Sequence, residues 1–178
     1  DQSMTPSRVA DAMFWLGRYV ERADGLTRLV REVLAGAIDT RTERQQAALW
    51  LLGSQFRTDE LNFENAAAEI HQLVFMRTAA GGLSELINAI MRNARATPDF
   101  LSDDAWRALV NLEQMIERIG WMKHADAGRL LDQVDAILMP LATFSGLNNA
   151  TMSRTFAHRF MDIGRHLERA SKTLMLLN

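Results

Sequence analysis

Cysteine is absent from this chain of 178 residues. Without a thiol the protein forms no disulfide, performs no thiolate chemistry and builds no cysteine-based zinc site. Cysteine-free chains suit the reducing cytoplasm, so a cytoplasmic location is expected.

Proline and glycine are also scarce, with three and ten residues. Hairpins and tight turns depend on both, so little of the chain suits β structure. The long runs are rich in Ala, Leu, Met, Arg and Glu, which favour helix, and no segment alternates with period two for long enough to be a strand. The sequence predicts an all-α fold, a bundle of about six or seven helices with an internal repeat.

A basic excess, a membrane-length apolar run and a secretion signal are missing as well. The formal charge is −2, which gives no surplus to neutralise the phosphates of a nucleic acid. No uninterrupted apolar run approaches the roughly 20 residues of a membrane span, and no charged-then-apolar leader opens the chain. We expect one domain over residues 1–178, with a linker-like stretch at 1–5, that binds neither membrane nor nucleic acid.

Residues at the segment ends predict where the helices begin and end. Pro6 in a first turn, a capping box that opens at Thr42, and Ser102 followed by two aspartates each mark a helix start. Asn62 is predicted to cap the third helix, and Pro140 to bend or end the sixth. The predicted helices span residues 6–36, 42–53, 62 to the glycine pair at 81–82, 84–95, 102–124, 126–144, and 151 or 153 to 177.

The first and last helices carry the same string. Residues 17–23 read GRYVERA and residues 164–170 read GRHLERA, an offset of 147 positions. Apolar residues with alternating spacings of four and three surround both strings, so we expect the two helices to be adjacent and to pack through these seams. The seams comprise Val9, Met13, Leu16, Val20, Ala23, Thr27, Val30 and Leu34 in the first helix, and Phe156, Phe160, Ile163, Leu167, Ala170, Leu174 and Leu177 in the last.

A second stripe beside each seam ends on a carboxylate. Its members are Ala10, Phe14, Gly17 and Glu21 in the first helix and Ala157, Met161, Gly164 and Glu168 in the last. Small residues let another helix approach closely, which would shield the glutamates from water, and a shielded carboxylate needs a cationic partner. The partners predicted from the sequence, pairing across helices, are Arg18, Arg22, Arg165 and Arg169.

These motifs resemble the Alpha-E family, a helical domain with a conserved E-R pair. The resemblance rests on WLGRYVERA at 15–23, NAR at 93–95, LSxxxW at 101–106, and the stretch from Gly146 through Arg154 into the second E-R string. The chain departs from the family pattern at Thr155 and His158. Family members usually continue past the second E-R helix, so the chain resembles the N-terminal part of that domain. We therefore expect Leu174 and Leu177 to be less covered, and a homo-oligomer to form through this apolar C-terminal helix.

The resemblance also implies partners. Alpha-E domains occur beside, and often fused to, a circularly permuted ATP-grasp ligase-like protein, and near transglutaminase-like peptidases. That association suggests peptide-bond formation or another peptide modification. It implies neither a cofactor nor a metal for the helical domain itself.

Other residues were weighed as sites. His158, Asp162 and His166 are spaced four apart on the last helix, but neighbouring arginines should repel a cation. Glu113 and Glu117 lack the Glu-x-x-His partners of di-iron bundles. Secondary candidates for a functional role are Trp15, Tyr19, Asn93, Arg95 and Arg154.

Three hypotheses for function are compatible with these residues. The domain is a non-catalytic module that binds or presents substrate to an ATP-dependent ligase. Alternatively it is an enzyme whose Glu21, Glu168 and arginines act on an anionic or peptide substrate. In the third hypothesis it is a purely structural interaction domain, and every E-R contact is a salt bridge.

Overall fold

The protein is seen here in a computed structural model that describes residues 6–39, 41–123, 126–150 and 156–177. The regular structure of these ranges is entirely helical, which confirms the all-α prediction. The α-helices are α1 (Pro6–Ile38), α2 (Glu43–Phe56), α3 (Ala66–Ile70), α4 (Leu83–Ala96), α5 (Asp103–Gly120), α6 (Ala127–Ala150) and α7 (Phe156–Leu177). A π-helical turn, His71–Phe75, continues α3, and a 3₁₀ turn, Pro98–Phe100, precedes α5.

Two predicted helix caps are present and one is wrong. Thr42 forms the full capping box of α2, and the Ser102 hydroxyl accepts a hydrogen bond from the Ala105 amide, 3.2 Å away, at the start of α5. Asn62 does not cap α3, because its side chain accepts from the amides of Glu64 and Asn65 and closes a turn before the helix. An Asn side chain readily bonds backbone two or three residues on, which competes with capping.

Three predicted helix ends are also wrong. The third helix ends with the π-helical turn at Phe75 rather than at the glycine pair 81–82, because the backbone is already extended at Met76. α5 stops at Gly120 rather than near residue 124, and this glycine lies against the backbone carbonyl of Phe75. α6 runs through Pro140 to Ala150 instead of ending near Phe144. α6 packs against α1 and α5, and its residues Ile137 and Leu141 are buried before and after the proline, so packing keeps the helix continuous.

The apolar character of α6 was underestimated from the sequence. Residues 127–147 of this helix are long and apolar enough to cross a membrane, by length and composition alone. In the fold the helix packs against α5 and α1, and a core helix of a bundle has the same composition.

Helix α1 is the centre of the bundle. Its seam, from Val9 to Leu34, is buried throughout and packs against α2, α4 and α6. Its second stripe faces α7, which lies alongside it. α1 therefore buries two adjacent faces, one in the core and one against α7.

Helix α7 is adjacent to α1 as predicted, but it does not pack through its seam. Its second stripe, from Ala157 to Glu168, is the buried face. The seam is exposed instead: Phe156 is 61% accessible, Ile163 47%, Leu167 49% and Leu174 62%. The expectation that Leu174 would be poorly covered is thus confirmed, whereas the side chain of Leu177 and the predicted start at Thr151 or Ser153 lie outside the described residues. The apolar seam did not predict the face of α7 that packs against α1, because the glycines of the second stripe allow a closer helix contact.

Candidate functional site

Two glycines define the contact between α1 and α7. A Cβ on Gly17 would fall on the backbone carbonyl oxygen of Met161, and one on Gly164 would fall on that of Phe14. The two contacts are reciprocal. Gly17 and Gly164 occupy equivalent positions of the repeat, 147 residues apart, and so do Phe14 and Met161. The two E-R helices therefore run parallel and in register, with their backbones touching at the glycines, and a local pseudo-twofold axis lies between them.

Glu168 is 5% exposed and lies on α7 in the contact. Arg22 of α1 donates from Nε to Oε1 at 2.8 Å and from Nη2 to Oε2 at 3.1 Å. Arg18 donates from Nε to Oε2 at 3.0 Å. Both oxygens of this carboxylate are thus engaged by arginines of the other helix, as the sequence predicted.

Glu21 forms the mirror arrangement from α1. Arg169 of α7 donates from Nε to Oε1 at 2.8 Å and from Nη2 to Oε2 at 3.1 Å. Arg165 Nε lies 3.7 Å from Oε2, an ion pair too long for a hydrogen bond, and this buried nitrogen has no hydrogen-bond acceptor within the described chain. The symmetry between the two glutamates is therefore close but not complete.

Lys172 belongs to this cluster and was missed from the sequence. Its Nζ donates to the backbone oxygen of Glu21 at 3.0 Å. Its counterpart in the repeat is Gly25, and a Cβ on that glycine would collide with Nζ. The glycine in α1 leaves the space that the lysine of α7 fills, and the two residues occupy equivalent positions of the repeat, two residues beyond the E-R strings.

Electrostatics keep both glutamates ionised. Burial raises the pKa of Glu168 most strongly, but the hydrogen bonds and charges of Arg22 and Arg18 outweigh it and lower the pKa overall. Burial likewise raises the pKa of Glu21, and Arg169, Arg165 and Lys172 outweigh it. A general base at neutral pH needs a pKa near 7 and a free lone pair, and neither carboxylate has the first of these.

The lowered pKa values predict loss of stability in acid. Both folded-state pKa values lie below the ordinary 4.5 of an unfolded glutamate, so their stabilisation is complete above 4.5 and is lost as pH falls from there through the lower folded-state pKa values. We expect a melting temperature that changes little between about pH 7 and 5 and drops steeply below. Glu168→Gln should flatten that drop, because it removes one of the two groups. An acid limb of unchanged steepness in this variant would contradict the assignment.

Two aromatic rings hold the arginines of α1 in place. Trp15 and Tyr19 are half-buried and stacked, with ring centroids 5.5 Å apart. The guanidinium of Arg18 lies 5.5 Å from the Trp15 ring centroid, and that of Arg22 lies 5.7 Å from the Tyr19 centroid. Cation–π contacts of this kind restrict the arginine side chains, so the rings act as supports for the ion pairs.

The remaining sequence candidates lie outside the E-R contacts. The Asn93 side chain donates to the carbonyl of Ala89, and Arg95 pairs with Glu113 of α5 at 3.2 Å. Arg154 and Thr155 fall outside the described residues. Two surface cavities of about 510 and 440 Å³ are formed around α3 and the start of α6, and neither is lined by an E-R residue.

The three residues weighed as metal ligands, His158, Asp162 and His166, do not converge. A ring nitrogen of His158 lies 3.1 Å from the carbonyl oxygen of Phe100, while Asp162 and His166 are exposed. Within the described ranges, no three His, Asp or Glu side chains come close enough together to hold a metal ion.

The sequence of the chain matches a known family and known proteins. Residues 5–178 match the Alpha-E family, described as a predicted alpha-helical domain with a conserved ER motif. The chain is 26% identical over 193 aligned positions to uncharacterized proteins of Mycobacterium bovis and Mycobacterium tuberculosis, with 94% of this chain covered. It spans 21% of the length of those relatives, and no solved structure matches it. With the two E-R strings paired across one helix contact and the match extending over almost every residue, the chain belongs to the Alpha-E family.

Proposed function

We propose that this domain is a non-catalytic helical module that scaffolds, or presents substrate to, an ATP-grasp peptide-ligase-like enzyme in the cytoplasm. The observation that carries the proposal is the reciprocal use of the E-R motifs. Each glutamate is bound through both oxygens by an arginine of the other helix. These groups act on each other and hold two helices in register, which is a structural task.

The class of partner protein is inferred from the Alpha-E family and from the lengths of the relatives. The domain corresponds to about a fifth of each mycobacterial relative, so in those proteins it is part of a much longer polypeptide. Fusion to a circularly permuted ATP-grasp protein, or action beside one and beside a transglutaminase-like peptidase, fits a module of this size. Peptide modification is then the activity that the module supports.

The second candidate is an enzyme with a Glu/Arg site, and a specific observation favours the binding of an anionic or peptide substrate there. Four arginines and Lys172 surround only two glutamates, so the cluster carries surplus positive charge. The side chain of Arg169 is 57% exposed and that of Arg22 is 37% exposed. A carboxylate of a substrate could pair with these outer arginines while the glutamates stay bound.

The first test is biochemical. The purified domain is expected to hydrolyse no ATP and to bind no nucleic acid, because the chain has no glycine-rich phosphate loop and no basic excess. It should bind the ATP-grasp protein encoded beside it or fused to it, and raise the rate of ADP release by that protein with its peptide substrate. ADP release is measured for the domain, the ligase and the mixture. Persistent ATPase activity of the domain alone, or a mixture identical to the ligase alone, would refute the proposal.

One variant distinguishes the second candidate from the non-catalytic module. Arg169→Gln removes an exposed cation while Glu21 retains Arg165 and Lys172 nearby. The non-catalytic module should keep its effect on the ligase in this variant. A rise in the KM for the peptide substrate, with a well-folded variant, would favour the substrate-binding site instead.

A further inference from the structure

Lysine is rare in this chain, and one of its two lysines lies in the contact between α1 and α7. The 20 cationic residues comprise 18 arginines, Lys123 and Lys172. Lys172 is partly buried beside Glu21, whereas Lys123, which follows α5, is exposed. Arginine stays charged at every pH that a protein encounters, but a lysine amine can lose its proton and react as a nucleophile. Lysine is therefore an unusual choice at a position that is surrounded by arginines.

The amine of Lys172 is held in one place. Its Nζ donates to the backbone oxygen of Glu21 at 3.0 Å and fills the hollow beside Gly25, where a Cβ would collide with it. The acceptor is a neutral carbonyl, which stabilises an ammonium less than a carboxylate does. A neutral amine keeps two N–H groups, so it can retain this hydrogen bond while its lone pair points elsewhere. The hydrogen bond thus orients the nitrogen without requiring its positive charge.

The surroundings of Lys172 favour its neutral form. Burial lowers the pKa of this amine, and the charge of Arg22 on α1 lowers it further. The carboxylates of Glu168 on α7 and of Glu21 and Asp24 on α1 act in the opposite direction, but each of them is already bound by an arginine. The pKa therefore stays below its ordinary 10.5, and more of Lys172 than of a water-exposed lysine is uncharged near neutral pH.

The same surroundings suit an electrophile that carries negative charge. The arginines and Lys172 outnumber the two glutamates of the contact, and the side chains of Arg22 and Arg169 are partly open to water. The charge of Arg22 acts on Lys172, and Arg169 shares Glu21 with it, so both guanidinium groups lie close to the amine. Arginine N–H groups bind phosphate oxygens well and stabilise phosphate as a leaving group. An acyl phosphate combines such an anion with an acyl carbon that an amine attacks.

We propose that Lys172 is an acyl-acceptor site, which takes an acyl group from an acyl phosphate. The lone pair of the neutral Nζ attacks the acyl carbon, the bond from this carbon to the phosphate oxygen breaks, and inorganic phosphate leaves with the electron pair. The nitrogen releases one proton to water, so a neutral amide replaces the amine. The lysine is modified once and does not turn over, so the domain carries an acyl group without being a catalyst. The proposal concerns this chain alone and does not depend on the ATP-grasp partner.

Acetyl phosphate is the probe, and Lys123 of the same chain is the internal control. Acetylation of each lysine is followed by peptide mass spectrometry between about pH 6 and 10. Lys172 should react at least about tenfold faster than Lys123 at neutral pH, and its rate should reach half of its maximum at a lower pH. Equal or slower acetylation of Lys172 would overturn the proposal.

A second acetyl donor tests the role of the arginines. N-acetoxysuccinimide transfers the same acetyl group but is uncharged, so the guanidinium groups give it no advantage. The ratio of the Lys172 rate to the Lys123 rate should therefore be smaller with this donor than with acetyl phosphate. An equal or larger ratio would contradict the choice of an anionic donor.

Gly25→Ala distinguishes a reactive lysine from a purely structural one. The added methyl group displaces Nζ from its hollow into water, and the fold should be retained because the obstacle is the mobile end of a side chain. The acetylation rate of Lys172 should then fall to about that of Lys123, with unchanged circular dichroism. Gly146→Ala is the matched control, because its methyl group meets no atom within 4 Å, and it should leave the rate unchanged. A rate advantage that survives Gly25→Ala, or that Gly146→Ala also removes, would contradict the role of the hollow.

Discussion

Gly164→Ala is expected to destabilise the domain by about 3 kcal/mol or to detach α7 from α1. The added methyl group would occupy the position of the Phe14 carbonyl oxygen, and backbone cannot move aside as a flexible side chain does. Separating the helices enough to admit the methyl would also stretch the arginine contacts of Glu168 and Glu21, which lie one turn further along. Urea unfolding followed by circular dichroism measures the change in the free energy of unfolding.

The chain offers controls for this substitution. Gly146→Ala, in α6, adds a methyl where no atom lies within 4 Å, so it should stabilise the domain by up to about 1 kcal/mol, as alanine does in a helix. Gly25→Ala should be mild, because the obstacle is the mobile end of Lys172. Gly17→Ala should match Gly164→Ala, since the contact is reciprocal. A Gly164→Ala variant as stable as Gly146→Ala would show that the backbones do not touch there.

The fold class and the E-R pairing were predictable because they depend on local patterns. Capping residues such as Thr42 and Ser102 act within one turn, and a shielded glutamate next to arginines has few ways to be neutralised. Arg22 and Arg169 directly follow their glutamates and so point about 100° away on the same helix, which indicated that the partners come from another helix. These features follow from the chemistry of a few neighbouring residues.

The face by which α7 packs could not be predicted from hydrophobicity. The seam of α7 is more apolar than the stripe beside it, yet the stripe with Gly164 is buried because backbone contact there also permits four arginine–glutamate interactions. Which of two adjacent faces is buried depends on what else surrounds the helix, and that is a property of the assembled bundle. The continuation of α6 through Pro140 has the same origin, because packing on both sides outweighs the local preference for a break.

Glu168→Gln and Glu21→Gln are each expected to cost about 3 kcal/mol of stability. The amide retains the shape of the side chain but loses the charge that neutralises Arg18 and Arg22, whose side chains are 24% and 37% exposed. Leaving cations partly buried without an anion is the costly step. Glu21→Gln likewise leaves the Arg165 side chain, 12% exposed, without its carboxylate, although Arg169, 57% exposed, can return to water.

The comparison of these variants with Glu113→Gln decides between a structural and a functional role for the E-R motifs. Glu113 binds Arg95 across α4 and α5 in a more exposed pair, with side chains 29% and 56% accessible, so its loss should cost less than about 1 kcal/mol. If the motifs are structural, Glu168→Gln and Glu21→Gln each lose more stability than Glu113→Gln, and the effect on the ATP-grasp partner falls in the same two variants. Thermal unfolding and the partner-dependent ADP assay are measured on the same preparations. An unchanged melting temperature in Glu168→Gln together with a lost partner effect would refute the structural role. Removal of a buried carboxylate that binds two arginines lowers stability wherever the fold depends on it.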